Sequence, residues 1–169
     1  TFIVMLATLL VLSGCAAFDA YQLLYDNKNA SHQWLDHRNT TRLPFEMLNQ
    51  QIIVSATVKG VGNVRLIVDS GAAATVFFET EQTAHLLQRL GRQFSASGMG
   101  DEEQTTVYFV NDIDISLGDV TLSGLTTLFI KSQDNPFFAS SDATYIDGII
   151  GADLFTHFTT HIDFDLLTI

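Results

Sequence analysis

The sequence predicts an all-β domain that contains one or two short helices. Three observations indicate this class: apolar, β-branched runs recur from residue 51 onward, Gly-containing turns separate them, and after residue 43 only two segments show helical spacing. Hydrophobic residues make up 47% of the 169-residue chain and charged residues only 16%, so the domain can bury a core. The sequence contains no internal repeat.

The strand signals begin with a hairpin that ends at Asp69. Residues 51–59 and 64–68 are β-branched or apolar runs, and the Gly-containing segment 60–63 joins them as a turn. Further strands are predicted at 105–110, 113–117, 120–130, 146–151 and 159–169. Helical spacing occurs over 79–92 and 152–158, and the segments 95–104 and 131–142 have the composition of loops.

The N-terminus has the features of a targeting segment. Residues 1–12 form an uncharged apolar run, which is too short for a membrane span of about 20 residues but fits the apolar part of a signal peptide. Leu12-Ser13-Gly14-Cys15 resembles the bacterial lipobox, in which the Cys thiol receives a diacylglyceryl group and becomes the new N-terminus. An ordinary signal peptide with a Cys by chance, or a buried N-terminal helix, are the alternatives.

This resemblance implies three regions. We expect an N-terminally incomplete lipoprotein signal peptide over 1–14, a spacer over 15–42 that starts at the lipidation site Cys15, and a folded domain over 43–169. Ala16 rather than Asp after the Cys resembles the pattern sorted to the outer membrane in enteric-type bacteria. The expected location is therefore the bacterial cell envelope, on the periplasmic side of the outer membrane, with a lipid chain as the anchor.

Charge and composition argue against several classes of function. The formal net charge is -11 with only eight Lys plus Arg, and no cationic cluster is present, so nucleic acid is not an expected partner. The single Cys cannot form an internal disulfide. His157 and His161 have helical spacing but fall on either side of a predicted helix-to-strand change, so we expect no metal site and no cofactor.

Asp69 directly follows an apolar strand, which delivers a carboxylate to a buried or half-buried place. Burial disfavours a lone carboxylate, so Asp69 needs hydrogen-bond donors or a partner with which it shares a proton. Ser70 offers a hydroxyl, and Gly71 permits a sharp turn that brings backbone N–H groups close. Asp-Ser-Gly is also common in ordinary strand-ending turns, so this segment alone leaves both interpretations open.

A second segment, Asp-Gly-Ile-Ile-Gly-Ala-Asp-Leu-Phe at 147–155, makes the pattern more specific. Two apolar residues, a Gly and a short helix follow a hairpin, an Asp-Ser-Gly and a Gly-containing loop, in the order found in a lobe of an aspartic protease. Over residues 43–169 the chain resembles the retropepsin-like, single-lobe bacterial aspartyl proteases. This resemblance implies a single-lobe acid-protease closed barrel that hydrolyses peptide bonds in a peptide or protein substrate.

The resemblance also implies roles for individual residues. The catalytic group would comprise Asp69, Ser70 and Gly71, with Asp69 as one of two aspartates that share a proton and activate a water. Because the chain carries one Asp-Ser-Gly, the second Asp would come from a two-fold homodimer, in which Ser70 bonds across the axis. A missing C-terminal lobe, or a protease-like lipoprotein that binds or assembles without hydrolysis, are the alternatives.

Substrate contacts are expected from the loop after the catalytic motif, from a flap and from the second segment. The expected substrate-binding residues are Ala72, Ala73, Gly98, Met99, Gly100 and Ile150. The flap segment has a simple hairpin loop as its alternative interpretation. Pepsin-like enzymes often carry Ser at the position of Ala72, and loss of that donor predicts an activity optimum nearer neutral pH. Viral members pair an Asp with an Arg where this chain has Ala73 and Ala152, so no unpaired charge is buried here.

Overall fold

A computed structural model describes residues 14–96, 105–134 and 146–169 of the chain. In chain order the elements are α1 (Gly14–Lys28), β1 (Ser31–Trp34), β2 (Phe45–Leu48), β3 (Gln51–Val58), β4 (Gly62–Val68), β5 (Val76–Phe78), β6 (Gln93–Ala96), β7 (Thr105–Leu117), β8 (Val120–Ile130), β9 (Gly148–Ile150) and α2 (Ala152–Phe155). Short 3-10 helices cover Leu35–His37, Ala84–Arg89 and Ser132–Asp134. The predominance of strands confirms the predicted fold class.

The strands form one sheet in which six members pair in a ring. The order is β8-β5-β9-β4-β3-β7, and β7 pairs again with β8, while β1, β2 and β6 add to β8, β3 and β7. The ring encloses the main core, because alternate side chains of each strand point inward. Its largest fully buried side chains include Leu66, Phe77, Ile113, Leu122 and Phe129.

Strand β9 lies between β4 and β5, and this arrangement positions the site. It pairs in parallel with β4 and antiparallel with β5, so the chain that leaves β4 must cross the end of β9 before it enters β5. Gly148 permits the close approach to β5, because a β-carbon there would lie 2.1 Å from the carbonyl oxygen of Val76. The carboxyl ends of β4 and β9 therefore meet at one edge of the sheet.

The predicted hairpin of β3 and β4 is confirmed, with Ile53 opposite Ile67 and Val58 opposite Gly62. The two strands predicted over 105–117 are a single strand, β7. Its pairing with β8 shifts register between Val110 and Ile113, where Asp112 has a φ of 59°. A bulge of this kind interrupts the alternation of polarity, which explains why the sequence pattern divides there.

The helix predicted over 79–92 is shorter and tighter than expected, since only Ala84–Arg89 is helical and its geometry is 3-10. The Thr83 hydroxyl donates to the Phe78 carbonyl and accepts from the Thr80 N–H at 2.9 Å. Side chains that bond to nearby backbone in this way compete with regular helix formation. The hydroxyls of Thr80 and Thr83 therefore stabilise a turn at the start of this segment instead of an α-helix.

The strand predicted over 159–169 is wrong. The segment forms a turn in which Asp163 Oδ1 accepts the N–H groups of Asp165 at 3.0 Å and Leu166 at 2.9 Å. It pairs with the rest of the sheet only through backbone contacts near its end, including Leu43 N–H to the Ile169 carbonyl at 2.9 Å. The Asp side chain captures backbone donors that a continuous strand would need.

The segment 15–42, interpreted from sequence as a spacer, contributes structure to the fold. Strand β1 pairs with β8 along its whole length, and α1, which includes Cys15, packs on the same strand. Leu23 and Asn27 of α1 are buried. Within the described ranges, no helix combines the length and hydrophobicity needed to cross a membrane.

Candidate active site

The loop that carries Asp69 begins where β4 ends and crosses the end of β9. The Asp69 N–H donates to the Ile150 carbonyl at 3.0 Å, and the Ala72 N–H donates back to the Asp69 carbonyl at 3.2 Å. The first bond continues the pairing of β4 with β9, and the second closes a tight turn. The turn lifts Ser70 and Gly71 to the surface, where both are exposed.

The Asp69 carboxylate is half-buried and accepts the Gly71 N–H at 2.8 Å on Oδ1. A β-carbon on Gly71 would lie 3.2 Å from that oxygen, so a larger residue would crowd the carboxylate. Among the described residues, no other hydrogen bond reaches the Asp69 side chain. One edge of the carboxylate is thus fixed by the backbone, and the rest of it stays available for a water, a substrate or another carboxylate.

The second sequence motif, residues 147–155, packs against the loop that carries Asp69. The Ala152 N–H donates to the Ala72 carbonyl at 2.9 Å, and Gly151 is buried against the same residue. The 147–155 segment is therefore in direct contact with the turn that holds Asp69. The structure thus brings together the two motifs that the sequence analysis paired.

Asp153 is a structural carboxylate that sequence reasoning did not single out. It is 2% exposed, and its Oδ2 accepts the Thr75 N–H at 2.6 Å and the Thr75 hydroxyl at 2.7 Å. Thr75 is the last residue before β5, so Asp153 fixes the far end of the loop that starts at Asp69. A charged residue inside the otherwise apolar run Gly-Ala-Asp-Leu-Phe is the sequence signal that could have indicated it.

Asp147, at the start of β9, is a second buried carboxylate that the sequence analysis passed over. It is 6% exposed, and it accepts the Arg65 N–H at 2.8 Å and the Thr80 hydroxyl at 2.5 Å. These bonds join β9 to β4 and to the turn after β5. Each oxygen of Asp147 therefore accepts a hydrogen bond that holds neighbouring parts of the site together.

The remaining predicted residues fall into three groups. Ala72 is half-buried and Ala73 is exposed, and both lie on the loop after the Asp-Ser-Gly motif. The Ile150 side chain is 0% exposed and belongs to the main core, so it supports the Asp69 loop through its carbonyl and does not face the solvent. The expected flap residues Gly98, Met99 and Gly100 lie outside the described residues.

The described residues contain no group of three or more His, Cys, Asp or Glu side chains arranged to hold a metal ion. His157 donates through Nδ1 to the Asp153 carbonyl at 2.8 Å, which uses that nitrogen for packing.

Two solved structures are similar to this chain. The chain is similar to a retropepsin-like aspartic protease from Rickettsia conorii, with a TM-score of 0.50 and 16% identity over 83% of this chain and 93% of that one. The EIAV protease in complex with the inhibitor HBY-793 also matches, with a TM-score of 0.42 and 16% identity over 66% and 91% of the two chains. No curated protein sequence matches the chain at a significant level.

A sequence model described as aspartyl protease matches residues 54–154, which is more than half of the 169-residue chain. The matched range runs from β3 to α2, so it includes Asp69, the whole loop to Thr75 and the buried Asp153. The fold of the Rickettsia conorii structure agrees with a single lobe of this kind. The chain therefore belongs to the aspartyl protease family and has the retropepsin-like single-lobe fold.

Proposed function

We propose that this protein is an aspartic endopeptidase in which Asp69 residues from two copies of the chain form the catalytic pair. The observation that carries the proposal is the position of Asp69. It stands at the end of a core strand, with one oxygen fixed by the Gly71 N–H and the remainder of the carboxylate free of protein donors among the described residues. The aspartyl protease family match supports the same chemistry.

Two carboxylates held close together share one proton, because both cannot ionise easily. The ionised Asp69 would accept a proton from a bound water as the water attacks the amide carbon. The protonated Asp69 of the second copy would donate to the carbonyl oxygen of the scissile bond. The two groups titrate as a pair, so any pH profile reports the pair and not one residue.

The two buried carboxylates among the described residues, Asp147 and Asp153, are unsuitable as the second catalytic group. Asp147 accepts two hydrogen bonds and Asp153 accepts three, so their oxygens are occupied. The chain carries one Asp-Ser-Gly, and its Ser70 and Gly71 are exposed at the tip of the turn. A two-fold axis near that tip would bring the two Asp69 side chains together.

The proposed substrate is a peptide or protein segment bound beside the loop after the catalytic turn. Ala73 is exposed there, and Ala72 uses its carbonyl to accept from Ala152, so Ala73 is better placed to contact a substrate backbone. We assign the flap role to Gly98, Met99 and Gly100 on their sequence pattern, since Gly residues permit closure over a bound segment. Ile150 would act on the substrate only through the loop that it supports.

We also propose that the protein is lipid-anchored in the bacterial cell envelope through Cys15, on the support of the lipobox-like sequence alone. Labelling of expressing cells with a tagged fatty acid tests this directly. The wild-type chain should carry label and fractionate with membranes, while Cys15→Ser should carry none. Label on Cys15→Ser, or none on either protein, would contradict the anchor.

Activity is tested with the full chain and a peptide library. Wild type should cleave, and Asp69→Asn should lose at least about a hundredfold in rate, the lower end of what a general acid–base group contributes. Asp165→Asn changes an exposed Asp in the C-terminal turn and should leave activity unchanged. If a well-folded dimer cleaves nothing, the non-catalytic binding alternative replaces this proposal.

The source of the second aspartate is tested by dilution and by mixing. Activity per chain should fall on dilution in parallel with the dimer fraction measured by sedimentation. In an equal mixture of wild type and Asp69→Asn, random pairing leaves about a quarter of the dimers with two aspartates. The mixture should therefore show about a quarter of the activity of wild type at the same total protein concentration. Full activity from a monomer would show instead that the second carboxylate comes from within one chain.

A further inference from the structure

Asn27, on α1, is an amide whose hydrogen-bonding capacity is used inside the fold. It is 3% exposed. Its Nδ2 donates to the Thr126 carbonyl on β8 at 2.8 Å and to Asp153 Oδ1 at 2.8 Å, and its Oδ1 accepts the Thr126 N–H at 2.9 Å. An Asn with both ends bonded across 99 and 126 positions of sequence is a specific tertiary contact, not an incidental one.

The same Asp153 carboxylate also holds the loop that carries Asp69. Its Oδ1 faces Asn27, while its Oδ2 accepts both the N–H and the hydroxyl of Thr75, which is 0% exposed. One buried carboxylate therefore joins α1 on one side to the end of the catalytic loop on the other. It needs both sets of donors, because a buried charge that lacks hydrogen bonds is costly.

A second contact joins α1 to the loop independently. Leu23 lies four residues before Asn27, on the same face of the helix, and is 7% exposed. It packs in a small apolar cluster with Ala74 of the loop and Phe109 of β7. The helix is thus linked to two consecutive loop residues: to Ala74 through the cluster that contains Leu23, and to Thr75 through the Asp153 carboxylate that Asn27 bonds.

We propose that Asn27 is a positioning residue for the active site, and that α1 is an integral support of the Asp69 loop. The aspartyl protease match begins at residue 54, so this support lies outside the matched range. The inference rests on the proposed function for its effect on catalysis. The structural part of the proposal, that Asn27 stabilises the Asp69–Thr75 loop, does not depend on whether the protein cleaves peptides.

The first test compares Asn27→Ala with Asn29→Ala in the full chain. Asn29 has the same side chain two positions away, but it lies just after α1, is exposed, and among the described residues its side chain donates only to the nearby Tyr25 carbonyl, at 2.7 Å. Hydrogen exchange of the amides over 72–78 should accelerate about tenfold or more in Asn27→Ala, because a buried charged acceptor loses its donor. Asn29→Ala should exchange as wild type does.

Catalysis provides the second readout. Asn27→Ala should lower kcat about tenfold with KM within about twofold, since a displaced Asp69 weakens transition-state interactions more than substrate binding. If the wild type shows no activity, the exchange experiment alone decides whether the support exists. If wild type and Asn27→Ala are equally active and equally protected over 72–78, the inference is overturned.

Asn27→Asp adds a signature that simple destabilisation would not give. The substitution keeps the shape but places an oxygen against two acceptors, Asp153 Oδ1 and the Thr126 carbonyl. Asp153 is the titratable side chain that faces it, and the nearby His157 bonds the backbone carbonyl of Asp153 at 2.8 Å instead of its carboxylate. On acidification, a proton shared between the carboxyl introduced at position 27 and that of Asp153 restores a hydrogen-bond donor. The decreases in loop protection and in kcat relative to wild type should therefore be greatest at neutral pH and become smaller at acidic pH. A deficit that is constant with pH would contradict the direct Asn27–Asp153 contact.

Discussion

Gly151 packs against Ala72, so the 147–155 segment is in contact with the turn that holds Asp69. A β-carbon on Gly151 would lie 2.2 Å from the Ala72 carbonyl oxygen and 2.7 Å from the Ala72 β-carbon. The next residue, Ala152, donates its N–H to that same carbonyl at 2.9 Å. The bond between the two motifs requires a close backbone approach, and at position 151 only Gly permits it.

Gly151→Ala should destabilise the protein by about 2 kcal/mol or more, because the added methyl group must displace the backbone of Ala72. Urea unfolding measures this loss. Gly60→Asn is the matched control, since no atom lies within 4 Å of a β-carbon at Gly60 and Asn tolerates its positive φ of 80°. A Gly151→Ala protein as stable as Gly60→Asn would show that the contact can relax without cost.

Asp147→Asn separates a structural carboxylate from a catalytic one. Asn can still accept the Arg65 N–H through its oxygen, and its amide can donate to the Thr80 hydroxyl, so folding should be nearly preserved. We expect peptide cleavage within about tenfold of wild type, whereas Asp147→Ala should cost about 1–3 kcal/mol of stability through unsatisfied donors. Loss of activity in Asp147→Asn as complete as in Asp69→Asn, with the fold intact, would identify Asp147 as a catalytic partner.

Thr75→Val tests the bond that fixes the end of the Asp69–Thr75 loop. The change keeps the shape but removes the hydroxyl that donates to Asp153 at 2.7 Å, so the free energy of unfolding should fall by about 1.5–3 kcal/mol. Thr57→Val is the control, because Thr57 bonds Asn63 on the exposed face of the hairpin and should change stability by less than about 0.5 kcal/mol. Equal effects at the two positions would contradict a special role for the buried bond.

Lys59→Ala should alter the titration of Asp114. The Lys59 ammonium, 3.1 Å from the carboxylate, and the Gly124 N–H, 3.0 Å from it, hold the pKa of Asp114 below its usual value. A lowered pKa in the folded state adds stability above the unfolded pKa, and this contribution is lost as pH falls through the folded pKa.

NMR titration should therefore show the Asp114 pKa rising toward its usual value in Lys59→Ala, and the part of the stability that is lost on acidification through Asp114 should become smaller. The effect on stability should stay below about 1 kcal/mol, since Lys59 is largely exposed. Lys28→Ala removes an exposed charge on α1 and should leave the Asp114 titration as it is. An unchanged Asp114 pKa in Lys59→Ala would show that the ion pair is absent in solution.

Local patterns predicted the strands well where one face of the sheet is buried. The hairpin before Asp69 alternates polarity along β3, and the structure pairs it in the expected way. The pattern failed where side chains bond to nearby backbone. Thr83 shortened the predicted helix over 79–92, and Asp163 replaced the predicted last strand with a turn. Such bonds depend on conformation, so periodicity does not reveal them.

The sequence by itself determined the family, the fold class and the placement of Asp69 after an apolar strand, because these depend on local composition and motif order. Tertiary structure alone decided which carboxylates are available for chemistry. It buried Asp147 and Asp153 among backbone and side-chain donors and left Asp69 with one donor among the described residues. It also brought Asn27 to Asp153 across 126 positions, a contact without any periodic signature, since it follows from how a helix packs on a closed sheet.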